Sequence, residues 1–221
     1  ELVTRHGTIM DKYDPEKKIG MIVDEWGNWF DVEPGTNPGF LYQQNTMRDA
    51  LVAGVTLNIF NKHCDRVKMA CIAQLVNVLQ SVILTEGPKM VKTPTYHVFH
   101  MYRYHQGASL LDSFLAENNE AGDGAYRVPA LQESVSVSED GTVNVTLANL
   151  SVSDAQEVEV EFAALSPQKV SASIVTQKMD AHNTFDEPEK VKEETFTAYT
   201  VTEKGVKLTV PACSVVLLRI A

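Results

Sequence analysis

Cysteine is scarce. Cys64, Cys71 and Cys213 are all that 221 residues contain, an odd number with no CxxC spacing, which argues against a disulfide framework or a structural zinc site. Basic charge is short too, 19 Lys and Arg against 29 Asp and Glu, a net −10. Phosphate binding needs clustered cations, so no nucleic-acid partner is expected. The longest apolar runs are only a few residues, far from the length of a membrane span, and no membrane partner is expected either. The opening Glu1-Leu2-Val3-Thr4-Arg5-His6 has no basic start and no apolar stretch of a signal peptide, so the expected location is the cytoplasm. The same opening lacks an initiator Met and already reads as helix, as a fragment or processed chain would. Internal repeats and low-complexity tracts are missing. What remains, 44% hydrophobic and 22% charged, is the composition of an ordinary globular chain.

Two kinds of patterning divide the chain around the polar, glycine-containing stretch Glu117-Asn118-Asn119-Glu120-Ala121-Gly122-Asp123-Gly124. Before it, Glu1 to Tyr13 reads as a helix stopped by Asp14-Pro15. Ile19-Gly20-Met21-Ile22-Val23 is a short continuous apolar run ending in Asp24-Glu25-Trp26, the mark of a strand buried on both faces of a parallel sheet. After a polar loop from Asp31 to Asn45, Thr46-x-x-Asp49 forms a helix cap signal, with Leu51, Val55 and Ile59 at spacing four and Lys62-His63 at the close. Arg66 to Ala73 reads as a second strand. Thr93-Pro94 starts a last helix. Helix, strand, helix, strand, helix is the grammar of a parallel α/β sheet. A complete (β/α)8 barrel takes roughly 250 residues, so residues 1–117 are expected to be only its C-terminal portion.

Residues 118–221 alternate instead. Val135 and Val137, then Val143, Val145 and Leu147, flank Asp140-Gly141, a strong hairpin signal. Further short alternating runs follow to Ile220. The expectation is an antiparallel, jelly-roll-like β-sandwich, interrupted by one long loop from Met179 to Glu194.

The chemical candidate is Asp24-Glu25-Trp26, since barrel active sites sit at the C-terminal ends of the strands. Trp26 and Trp29 are the only tryptophans, and both lie within four residues of Glu25. Aromatic rings beside carboxylates suit sugars, whose C–H faces pack on rings. Gln74 and Asn77, at the end of the next strand, would add neutral hydrogen-bonding groups. By spacing alone, an acidic pair ending a strand is more often a surface feature or a helix cap.

The run Lys18 to Trp29, the segment Leu51 to Val78 with Lys62-His63-Cys64-Asp65-Arg66-Val67-Lys68-Met69-Ala70-Cys71-Ile72-Ala73-Gln74, the stretch Thr93 to Phe99, and Asp180-Ala181-His182-Asn183-Thr184-Phe185 resemble family 51 glycoside hydrolases, the α-L-arabinofuranosidases. The likeness covers essentially the whole chain. It implies a (β/α)8 barrel joined to a C-terminal sandwich, and a retaining hydrolase that removes terminal arabinofuranosyl groups from arabinan, arabinoxylan or related oligosaccharides. Under it, Glu25 matches the catalytic nucleophile, Gln74 a sugar-binding glutamine and Trp29 an aromatic wall on the leaving-group side, while His63, Asp65 and Arg66 match a structural cluster. No cofactor and no metal are implied. The family's acid/base glutamate lies on an earlier strand that this chain does not contain. The expected partners are therefore the missing N-terminal barrel segment, an arabinose-containing saccharide and, as in the family's assemblies, further copies in a homo-oligomer. This chain alone is not expected to turn over substrate.

Other features have plainer readings. His97, His100 and His105 crowd one helix, as a metal site or as a solvated face. Cys64 and Cys71 read as small buried fillers, and Asn144 and Asn149 open glycosylation sequons. The alternative to an enzyme is a non-catalytic carbohydrate-binding or structural sandwich module, whose sandwich aromatics would be Tyr126, Phe162, Phe185, Phe196 and Tyr199.

Overall fold

The computed structural model describes residues 1–164 and 166–221. Its first part runs α1 (Leu2–Tyr13), β1 (Met21–Trp26), α2 (Met47–Lys62), β2 (Val67–Ile72), a hairpin of β3 (Ile83–Glu86) and β4 (Lys89–Lys92), then α3 (Pro94–Tyr102). β1 and β2 pair in parallel, so their C-terminal ends share one face. The cap signal at Thr46 forms as a capping box: the Thr46 N–H donates to Asp49 Oδ2 at 2.8 Å. The next free donors of α2 are met from far along the chain. Met47 N–H donates to the Ala181 carbonyl at 2.8 Å and Arg48 N–H to the Met179 carbonyl at 3.1 Å, so the long loop expected at 179–194 is structural at its start.

At the opposite end of the strands, Arg66 organises the turn between α1 and β1. It is 3% exposed and donates to Asp11, to Asp14 Oδ2 at 2.7 Å and to the Ile19 carbonyl at 2.8 Å. The Ile19 N–H first, then the Arg66 guanidinium, holds the Asp14 carboxyl below its ordinary range.

The second part is an antiparallel sandwich. One sheet has six strands in the order β12-β11-β15-β9-β8-β5: β5 (Ser109–Leu111), β8 (Leu131–Val137), β9 (Val143–Asn149), β11 (Val170–Thr176), β12 (Glu194–Thr195) and β15 (Ser214–Ile220). The other has three, β10 (Gln156–Glu161), β14 (Gly205–Val210) and β13 (Tyr199–Val201). The hairpin around Asp140-Gly141 forms between β8 and β9 as read. The polar stretch at 117–124 also carries a hairpin, β6 (Glu120–Asp123) with β7 (Tyr126–Pro129), and β5 joins the large sheet before it. An α/β portion followed by an antiparallel sandwich is thus the fold, as expected.

The large sheet is covered on both faces. One face meets the three-stranded sheet through Leu131, Val145, Leu147, Val206, Leu208, Leu218 and Ile220. The other meets α2 and α3 through Ala148, Val175, Val215 and Leu217 against Met47, Ala50, Leu51, Val98 and Met101. Gly54 permits this close approach, since a Cβ there would lie 3.0 Å from a Val215 methyl. Phe196 is buried, and Phe162 and Tyr199 pack on the same core, so three of the five sandwich aromatics serve the interior. Asn144 and Asn149 are fully buried in β9 and hydrogen-bonded. Cys64, read as a buried filler, is exposed in the turn after α2, because the chain leaves the helix there on its solvent side.

His100 and His105 have separate surroundings, and His105 lies just past the end of α3. His100 Nδ1 contacts Glu193 at 2.5 Å, and His105 lies between Ser136 Oγ at 2.8 Å and Thr146 Oγ1 at 3.1 Å. Among the described residues, no group of three His, Cys, Asp or Glu is arranged to hold a metal ion. Burial lowers His105 to about 4, and likewise His97. The unfolded chain therefore binds these protons below pH 6.5 while the native protein does not until about pH 4. Stability is full above that window and falls as pH drops through it, by an amount of order 3 kcal/mol for His105. Urea midpoints measured from pH 7 to pH 4 should fall less steeply in His105→Gln than in the parent.

Candidate active site

The site is built on an irregularity in β1. Val23 pairs with Ala70 and Trp26 with Ile72, so three steps along β1 match two along β2. The extra residue makes a bulge at Asp24-Glu25. In a regular strand these neighbours would point to opposite faces. Here both are exposed and both line one open cavity of about 350 Å³, with Ile72, Ala73 and Gln74 on the other side. Ala73 N–H donates to the Trp26 carbonyl at 2.9 Å, which extends the parallel pairing just past β2 and sets Gln74 beside the carboxylates. The Gln74 carbonyl in turn accepts from Val82 N–H at 3.3 Å.

Of the residues singled out from the sequence, Glu25 and Gln74 are thus brought to one cavity. Trp29 lies outside its lining, 67% exposed on the loop that follows β1. Trp26 has a different place from the sugar-facing one its position suggested. It stacks on Phe99 with centroids 6.0 Å apart and meets Phe60 edge-on at 5.6 Å, because the bulge turns it towards α2 and α3. Asn77 is also occupied elsewhere. Its amide donates to Thr85 Oγ1 at 2.9 Å and accepts from Thr85 N–H at 2.8 Å, fixing the β3–β4 hairpin.

Gly27 separates the carboxylates from the tryptophan loop. Its φ of +141° is open to glycine, and a Cβ there would sit 1.6 Å from Nε2 of the buried Gln80. Gly27→Ala should therefore cost about 1–3 kcal/mol, read as a lower thermal midpoint.

The groups that hold this loop lie outside the residues singled out from the sequence. Asn28 Nδ2 donates to Asp49 Oδ1 at 2.9 Å, and the Arg48 guanidinium lies 3.8 Å over the Phe30 ring. Gln43, 1% exposed, accepts from Phe30 N–H at 2.7 Å and donates to the Asn28 carbonyl at 3.2 Å. The only local signal was Gln43-Gln44-Asn45, amides crowded just before a helix cap.

Residues 24–214 match the family model described as the α-L-arabinofuranosidase C-terminal domain. An intracellular exo-α-L-arabinofuranosidase of Bacteroides ovatus is 42% identical over all 221 residues, which span 43% of that protein. An intracellular exo-α-(1→5)-L-arabinofuranosidase of Bacillus subtilis is 28% identical over 75% of this chain and 35% of its own length. Among solved structures, the GH51 arabinofuranosidase from Xanthomonas axonopodis pv. citri superposes with a TM-score of 0.96 at 45% identity, covering all of this chain and 45% of that one. The chain therefore spans less than half the length of these relatives.

Proposed function

The chain belongs to the α-L-arabinofuranosidase C-terminal domain family within the family 51 glycoside hydrolases, and on that premise we propose that it is the C-terminal part of a retaining α-L-arabinofuranosidase acting on terminal arabinofuranosides of arabinan, arabinoxylan and related oligosaccharides. The observation that carries this reading is the bulge that places Glu25 and Gln74 on one cavity at the C-terminal ends of adjacent parallel strands.

In this reading the Glu25 carboxylate attacks the anomeric carbon as the glycosidic bond breaks, giving a glycosyl ester that water then hydrolyses. Gln74 hydrogen-bonds the arabinofuranosyl ring, and Trp29 walls the leaving-group side. Retention needs a second carboxyl about 5–5.5 Å from the nucleophile to protonate the departing oxygen. Asp24 and Glu25 are the carboxylates lining the cavity among the described residues, and adjacency on one strand leaves no room for a sugar between them. The acid/base is therefore assigned to a barrel segment outside these 221 residues, and the chain alone is not competent. Ile22 and Met69, 56% and 51% exposed on β1 and β2, support such a covering segment. Cytoplasmic location and assembly into a homo-oligomer belong to the same proposal. The names of the Bacteroides and Bacillus relatives support the first of these.

The test is covalent trapping. A 2-fluoro arabinofuranoside with a good leaving group, incubated with the complete enzyme, should leave one glycosyl adduct on the peptide containing Glu25. An adduct elsewhere, or product of inverted configuration by NMR, would overturn the assignment.

A further inference from the structure

We propose that Gln43 is a positioning residue for Trp29, and that through it the segment Gln43 to Thr46 sets which leaving groups the site accepts. This rests on the reading of the site as an arabinofuranosidase centre.

The geometry begins with one side-chain amide acting on both peptide groups that flank Trp29. Gln43 Oε1 accepts from Phe30 N–H at 2.7 Å, and Gln43 Nε2 donates to the Asn28 carbonyl at 3.2 Å. A neighbouring strand grips a residue in the same way, through the carbonyl before it and the N–H after it. The amide therefore stands in for a strand where none runs, and fixes the backbone on both sides of residue 29. The side chains to either side are also held, Asn28 by Asp49 and Phe30 beneath Arg48. Trp29 itself remains 67% exposed. A large apolar ring on a pinned backbone, turned to solvent four residues after Glu25, is a preformed stacking surface.

The support behind the clamp is a set of hydrogen bonds to three other parts of the chain. Gln43 N–H points to the Leu79 carbonyl at 3.4 Å, in the loop that follows Gln74. Gln44 Nε2 lies 2.9 Å from His182 Nε2, a residue of the sandwich loop. Asn45 Nδ2 donates to the Gln80 carbonyl at 3.0 Å and to Thr95 Oγ1 at 2.8 Å, and Thr46 closes the α2 capping box. Four successive residues thus tie the Trp29 loop to the second strand's loop, to α3 and to the sandwich. A glutamine merely satisfying a buried loop would support catalysis on every substrate alike. One that aims Trp29 matters in proportion to how far the leaving group reaches.

The experiment compares the complete enzyme with Gln43→Met, which keeps the length of the side chain and removes both hydrogen bonds, and with Gln43→Glu, which keeps the acceptor for Phe30 N–H. Substrates are an arabino-oligosaccharide and arabinofuranosyl fluoride, whose leaving group is a single fluoride on the anomeric carbon. Losing an aromatic contact is worth roughly three- to tenfold in rate. For Gln43→Met we expect a fall of about that size in kcat/KM on the oligosaccharide, carried mainly by KM, and less than a twofold change on the fluoride. Gln43→Glu should lie between. Trp29→Ala should show the same substrate split, and adding Gln43→Met to it should cost nothing more. Equal losses on both substrates, additivity with Trp29→Ala, or no loss would overturn the proposal. Hydrogen exchange of the peptide Trp26 to Asp31 gives a readout independent of turnover. It should speed up in Gln43→Met while α2 stays protected, and unchanged exchange would sink the clamp even if the parent enzyme cleaved neither substrate, a result that would instead count against the functional reading.

Discussion

Glu25→Gln in the complete enzyme should abolish turnover of arabinofuranosides, by roughly 10⁴-fold or more, the scale reached when a covalent nucleophile is removed, while the fold is unchanged. The amide matches the carboxylate in size but cannot form the glycosyl ester. Glu25 is exposed at the strand end with no side-chain hydrogen bond to another residue among those described, so the exchange should move stability by no more than about 0.5 kcal/mol. Asp24→Asn is the matched control. Asp24 lines the same cavity from the same bulge, so a purely electrostatic role for this corner would give both variants similar losses. A nucleophile at Glu25 alone gives a large loss in one and a small loss in the other. Glu25→Ala with added azide separates the roles further: the anion should attack from the vacated face and yield the azide of inverted configuration. Residual activity in Glu25→Gln within tenfold of the parent would remove Glu25 from the mechanism.

The parts of this arrangement that were legible in the sequence are those with local causes. Thr46-x-x-Asp49 announces its helix because both halves of a capping box lie within one turn, and Asp140-Gly141 announces its hairpin because the turn chemistry sits in the dipeptide. The Asp123-Gly124 hairpin carried the same dipeptide, yet its flanks are short and polar, with Glu120 and Arg127 forming a cross-strand ion pair at 3.2 Å, so it read as a linker. β3 and β4 were hidden for a related reason: four residues a side around Gly87-Pro88 show little periodicity. At the site, Glu25 and Gln74 were legible as strand ends. The bulge that turns Asp24 and Glu25 to one cavity is a matter of register between two strands, and no single stretch of sequence records it. The clamp on Trp29 comes from Gln43, fourteen residues away, and the caps on α2 come from carbonyls beyond residue 178; such long-range partners leave no local trace. Ser134, Ser136, Asn144 and Thr146 alternate with apolar residues as a solvent-facing row would, yet each is at most 4% exposed, because the opposing helices bring polar partners to them.

That buried polar layer carries the largest stability effect expected in the chain. Asn58 on α2, 1% exposed, accepts at Oδ1 from Tyr102 at 2.9 Å, Ser134 at 2.8 Å and Thr146 at 2.7 Å, and its Nδ2 donates to the Gln132 carbonyl at 3.1 Å. Burial pushes the Tyr102 phenol well up, so it remains a donor. Asn58→Leu keeps the branched shape and the helix but strands these groups away from water. Tyr102 can fall back on the Gly54 carbonyl at 3.0 Å and Thr146 on His105, while Gln132 loses its side-chain donor. With about 1–3 kcal/mol for each group left unsatisfied, and part of that recovered by the fallbacks, the loss should be about 3–4 kcal/mol, measured by urea unfolding. The cause can be isolated. If the loss is the desolvation of orphaned hydroxyls, then Ser134→Ala with Thr146→Val in the Asn58→Leu background should return part of it, less what Asn61 Nδ2 and His105 Nε2 lose with those hydroxyls, because removing both sides of a buried hydrogen bond is far cheaper than removing one. If the loss is instead a packing defect between α2 and the sheet, the two further truncations will deepen it. The sign of that second step decides whether α2 is held to the sandwich by polar matching or by shape.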